Sequence, residues 1–71
     1  MRYSPYEMNY KDSVFGTVVG GCKEGLFIRL DNDEMSFAKF NFLPSGARVL
    51  CTLLKKANKN NYALVGIDSI I

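Results

Sequence analysis

The sequence predicts an all-β domain, a small five-stranded Greek-key barrel, from three observations. Five short runs place an apolar residue at every second position, clusters of Gly, Asn, Asp and Pro separate them, and no stretch sustains a helical period. The runs occupy residues 13–19, 25–30, 35–40, 48–55 and 62–70. In so short a chain, closing the sheet partly on itself is the economical way to remove exposed strand edges.

Each run carries its own signal. In the first, Val14, Gly16 and Val18 point one way, which sets Phe15, Thr17 and Val19 on the other face. Gly20 and Gly21 then read as the turn, with Cys22 in it. In the second run Leu26, Ile28 and Leu30 form the core side, so Phe27 and Arg29 share the outer side. Asp31-Asn32-Asp33 reads as a hairpin turn, because Asp and Asn bond their own backbone and tolerate tight dihedrals. A calcium loop would need a 12-residue ligand pattern between helices, which Asp31-Asn32-Asp33-Glu34 lacks.

The third run admits two phases: Phe37 and Lys39 outside together, or Ala38 and Phe40. Residues 41–45 are expected to make at most a single helical turn, so the helix between the third and fourth strands is short or absent. Pro44-Ser45-Gly46 turns the chain into the fourth run, where Val49, Cys51 and Leu53 face the core and Arg48, Leu50 and Thr52 face out. Asn58-Lys59-Asn60-Asn61 then forms the turn into the last run. Residues 1–12, with Tyr3, Tyr6, Tyr10 and Pro5, show no period and read as an irregular arm ahead of a barrel at 13–71.

Composition narrows the function classes. Nine basic residues against seven acidic ones leave a net charge of +2, too small to imply nucleic acid by itself. The distribution says more: Glu7, Asp12, Glu24, Asp31, Asp33 and Glu34 lie in the first half, whereas from Lys39 onward Arg48, Lys55, Lys56 and Lys59 face only Asp68. With no histidine and no CxxC pair, neither a metal site nor a cofactor is expected. Cys51 reads as a small core residue and Cys22 as an exposed thiol, and the sequence leaves open whether they pair. Two cysteines without a secretion signal fit a reducing cytoplasm, and no apolar stretch approaches the roughly 18 residues of a membrane span.

Enzymatic chemistry finds little support. General bases at neutral pH are most often His, and GxSxG, GxxxxGK[ST], HExxH and GxGxxG patterns are all missing.

The motifs Gly16-Thr17-Val18, Gly25-Leu26-Phe27-Ile28-Arg29-Leu30 and Gly46-Ala47-Arg48-Val49-Leu50-Cys51-Thr52-Leu53-Leu54 resemble the OB-fold RNA-binding domain repeated in ribosomal protein S-one. The segment from Leu26 to Ala38 also resembles bacterial translation initiation factor one, an OB-fold relative that binds the small ribosomal subunit. The resemblance spans roughly residues 13–68 and implies an OB-fold barrel that binds RNA on one face. Its second-strand aromatic matches Phe27, but the aromatic before the glycine falls on Glu24 and the third-strand histidine on Lys39. The usual Gly-Asp pair is Gly46-Ala47 here, and Ala57-Asn58 and Asn61-Tyr62 stand where an Asp and an Arg are common.

The sequence thus points to a non-enzymatic module for single-stranded nucleic acid, RNA ahead of DNA. Phe27, Phe15 and Phe37 would stack bases, Arg29 and Lys39 would supply charge beside them, and Lys55, Lys56 and Lys59 would meet phosphates beside the Asn-rich loop. The same residues also fit core packing and a solvated turn. The rival expectation is a protein-interaction or adaptor module that uses the aromatic face to hold a protein partner or a second copy. Neither expectation involves a membrane.

Overall fold

In a computed structural model that describes residues 12–71, the chain forms β1 (Ser13–Cys22), β2 (Gly25–Leu30), β3 (Met35–Ala38), β4 (Arg48–Lys55) and β5 (Ala63–Ile70). The strands close in the order β1-β2-β3-β5-β4 and back to β1. All pairings are antiparallel except β3 with β5, which is the order and sense of an OB-fold barrel. The expected arm at residues 1–12 lies, but for Asp12, outside the described residues.

Alternation builds the interior as expected. Val18, Leu26, Ile28, Leu30, Ala38, Val49, Cys51, Leu53, Ala63 and Val65 are all buried and form one core. Ser36 is the polar residue in it, and its hydroxyl donates to the Ile28 carbonyl at 3.0 Å, so burial leaves that group satisfied. The third strand resolves to one phase: Ser36 and Ala38 face inward, and Phe37 and Lys39 face outward.

Four expectations are corrected. The barrel closes rather than staying partly open, because β3 and β5 pair directly. Gly20 and Gly21 do not turn; they continue β1 opposite Phe27 and Leu26, and the turn falls at Lys23 and Glu24. Cys22 is therefore the last residue of a strand, although exposed as expected. An irregularity between Val18 and Gly20 interrupts the β1–β2 ladder; residues 13–17 pair with β4 and residues 16–22 with β2, so Gly16 and Thr17 are flanked on both sides. Finally, β3 stops at Ala38 rather than Phe40. Among the described residues, 41–45 form no helix, in keeping with the short or absent helix expected there.

Two connections are fixed by local chemistry. At the β2–β3 turn, the Asp33 amide donates to the Leu30 carbonyl at 2.8 Å, the Leu30 amide donates to the Glu34 carbonyl at 2.9 Å, and Asn32 Oδ1 accepts the Glu34 amide at 3.0 Å. Asp33 adopts a left-handed φ of 70°, which Asp accepts more readily than most side chains. Between β3 and β4, Gly46 turns the chain at φ 96° and donates to the Val18 carbonyl at 2.7 Å, while the Val18 amide donates to Ala47 at 2.9 Å. The loop is thereby pinned to the irregularity in β1. No helix among the described residues is long and apolar enough to cross a membrane.

Candidate nucleic-acid interface

The register of four strands sets one row of side chains across the outer surface. Phe27 stands opposite Phe37, Phe37 opposite Leu64, and Leu64 opposite Lys55. Here the connection from β4 to β5 folds over the row, and together they enclose an open groove of about 580 Å³. Phe27, Phe37 and Leu64 supply its apolar wall. Lys55 and the loop residues Asn58, Lys59, Asn60, Asn61 and Tyr62 supply the other.

Three rings converge there. Phe27 meets Phe37 edge to face at 5.3 Å between centroids, and Tyr62 stands nearly perpendicular to Phe27 at 6.0 Å. Tyr62 is 55% exposed and both Phe residues are half-buried, so the cluster is anchored on the barrel but remains open to a ligand.

The loop holds its shape through Asn58. Its Oδ1 accepts the amides of Asn60 at 2.8 Å and Asn61 at 2.9 Å, while its own amide donates to the Asn61 carbonyl at 3.0 Å. This use of a side chain in place of a backbone acceptor suits Asn in a turn. Among the described residues, neither Lys55 nor Lys59 makes an ion pair, so both charges face solvent at the rim.

The residues expected from sequence divide into groups. Phe27, Phe37, Lys55 and Lys59 come together in the groove. Arg29 is exposed on β2, two residues beyond Phe27 on the same face, but does not line it. Lys56 is exposed in the connection and also stands outside the lining. Lys39 follows β3 and lines a separate shallow groove with Lys23 and Phe42.

Phe15 belongs to another cluster. It pairs opposite Leu50 on the β1–β4 side, and the Arg48 guanidinium lies 5.9 Å from its ring centre. Arg48 also donates to both Asp31 carboxylate oxygens, at 2.8 and 3.0 Å, and to Thr17 Oγ1 at 3.0 Å. The hydrogen-bonded guanidinium holds the Asp31 carboxyl below its ordinary range, and Asp31 in turn raises the Arg48 pKa. Arg48 charge is thus committed locally.

Sequence reasoning leaves Leu64 out of the site, and likewise Tyr62. Alternation carried it as the start of the last strand, whereas it stands just before β5, where its ring folds back to Phe27. The signal available was its position directly after the Asn-rich loop. Among the described residues, no three His, Cys, Asp or Glu side chains are grouped as a metal site would need. No protein-family model matches the chain, and comparison with curated proteins gives no match.

Proposed function

We propose that this domain binds single-stranded nucleic acid, RNA in preference to DNA, as a non-enzymatic module. The observation that carries the proposal is the convergence, in one open groove, of Phe27, Phe37 and Tyr62 with two lysines that make no ion pair among the described residues. Flat apolar rings take any base on their faces, ammonium groups meet the phosphates, and side-chain amides can bond base edges or the 2′-hydroxyl. The strand motifs that resemble the ribosomal S-one domain support the same reading, with Phe27 as the shared aromatic.

An amide-resolved NMR titration with short mixed-sequence RNA and DNA, at low and moderate salt, tests it. Shifts clustered on Phe27, Phe37, Lys55 and residues 58–62 that fade as salt rises are the expected result, since bound phosphates release counterions. Absence of shifts at either salt would overturn it in favour of protein contacts, for which Leu54, Ile70 and Ile71 present exposed apolar surface.

A further inference from the structure

Phe42 is the most exposed large hydrophobic side chain among the described residues, at 75%. It lines a shallow groove of about 460 Å³ with Lys23 and Glu24 of the β1–β2 turn and with Lys39 and Asn41 beyond β3. Two cations face one carboxylate in this groove. Among the described residues none of the three makes an ion pair.

Phe37 lines the aromatic groove, and its ring reaches toward the turn that lines this one. A side-chain carbon at Gly25 would lie 2.8 Å from Phe37 Cζ and against the Ala38 carbonyl, so the ring tip occupies the space that Gly25 leaves empty. Gly25 directly follows Lys23 and Glu24. Phe37 therefore lines the Tyr62 groove and packs over Gly25, next in the chain to the turn that lines the second groove, and Lys39 continues the outward face of β3 two residues on.

We propose that the nucleic-acid path continues past Phe37 to a second subsite, in which Phe42 stacks a base and Lys23 and Lys39 meet phosphates. This extension rests on the function proposed above. Its ligand is a single strand long enough to engage both ends of the β2–β3 face, rather than a lone nucleotide. Phe37 to Lys39 is about 7 Å of strand, or about two steps of a stacked chain at roughly 3.4 Å each. With about two bases at the first cluster and one on Phe42, the path takes about five nucleotides, inside the roughly 4–16 of a single OB fold.

Fluorescence anisotropy with labelled single-stranded RNAs of about three and about eight nucleotides, across a salt series, tests the path. Phe42→Ala is expected to weaken the longer RNA about five-fold or more and leave the shorter unchanged, while Phe27→Ala weakens both. Lys39→Ala should lower the salt slope for the longer RNA by about 0.7, the value of one phosphate contact on a single strand. Circular dichroism checks that each variant keeps the fold.

Two outcomes overturn the second subsite while sparing the first: Phe42→Ala and Lys39→Ala binding the longer RNA like wild type, or Phe42→Ala weakening both lengths equally. Failure of wild type to bind either RNA at low salt would instead remove the proposed function and the extension together.

Discussion

Replacing Tyr62 separates stability from binding more cleanly than replacing any other ring of the groove. At 55% exposure it gives up less than half of a full burial, about 1 kcal/mol, when truncated to Ala. Its contact with Phe27, at 6.0 Å, lies toward the long end of aromatic pairs and adds about 0.5 kcal/mol. Tyr62→Ala should therefore destabilise by about 1.5 kcal/mol, which lowers Tm by about 6–12 °C in a domain this small. Tyr62→Leu keeps most of the apolar bulk and should cost less than about 1 kcal/mol. Binding should respond differently, because only a flat ring stacks: each lost base contact is worth about 1–3 kcal/mol, or about 5- to 150-fold in Kd. Thermal unfolding followed by circular dichroism gives the first quantity and anisotropy at fixed salt the second. A Tyr62→Leu protein that binds RNA within two-fold of wild type would refute stacking at this position.

Three further outcomes follow from other parts of the barrel. Gly25→Ala should cost about 3 kcal/mol or more in urea unfolding, because the added carbon meets the β3 backbone at Ala38 as well as the Phe37 ring; a near-neutral variant would show that β2 and β3 can separate without penalty. Burial pushes the Cys51 thiol up to about 11, with the Asp68 charge adding to the shift, so a thiol reagent at pH 8 should modify Cys22 rapidly and Cys51 only on unfolding. Equal rates in a native sample would contradict the buried assignment. Asp31 has a folded pKa lowered from its ordinary value of 3.8, so its pairing with Arg48 supports the fold above that pH and loses this contribution as pH falls through the lower folded value. Acid titration of wild type and Asp31→Asn should therefore show a constant difference above about pH 4 that closes as pH falls further, through the lowered folded value, and the difference is small because both side chains are exposed.

Strand positions were legible because side-chain alternation is a direct record of a two-sided sheet. β2 and β4 match the expected runs residue for residue, and the core phase of Leu26, Ile28, Val49, Cys51 and Leu53 follows from it. Gly20 and Gly21 mislead for a physical reason: glycine marks either a turn or an irregular strand, and here both lie inside the ladder just past the irregularity in β1. The site was only partly legible. Phe27 and Phe37 were found because they alternate with core residues, whereas Tyr62 and Phe15 depend on which strands become neighbours. Closure puts β3 beside β5, which delivers Tyr62 to Phe27, and sets Phe15 beside β4, where Arg48 claims it. Pairing between residues so far apart in the chain leaves no local trace.

The parallel seam between β3 and β5 consists of three residue pairs, Ser36 with Ala63, Phe37 with Leu64 and Ala38 with Val65. It joins segments distant in sequence, and such non-local pairings are slow to form during folding. The seam is thus the natural place for the barrel to breathe, with amide hydrogens near Phe37 and Leu64 exchanging sooner than those of the long β4–β5 ladder. Phe37 and Leu64 are also the floor of the groove. A strand of nucleic acid laid across them would act as a strap over the weakest joint, so that occupancy registers as slowed exchange and as a melting temperature that climbs with ligand concentration.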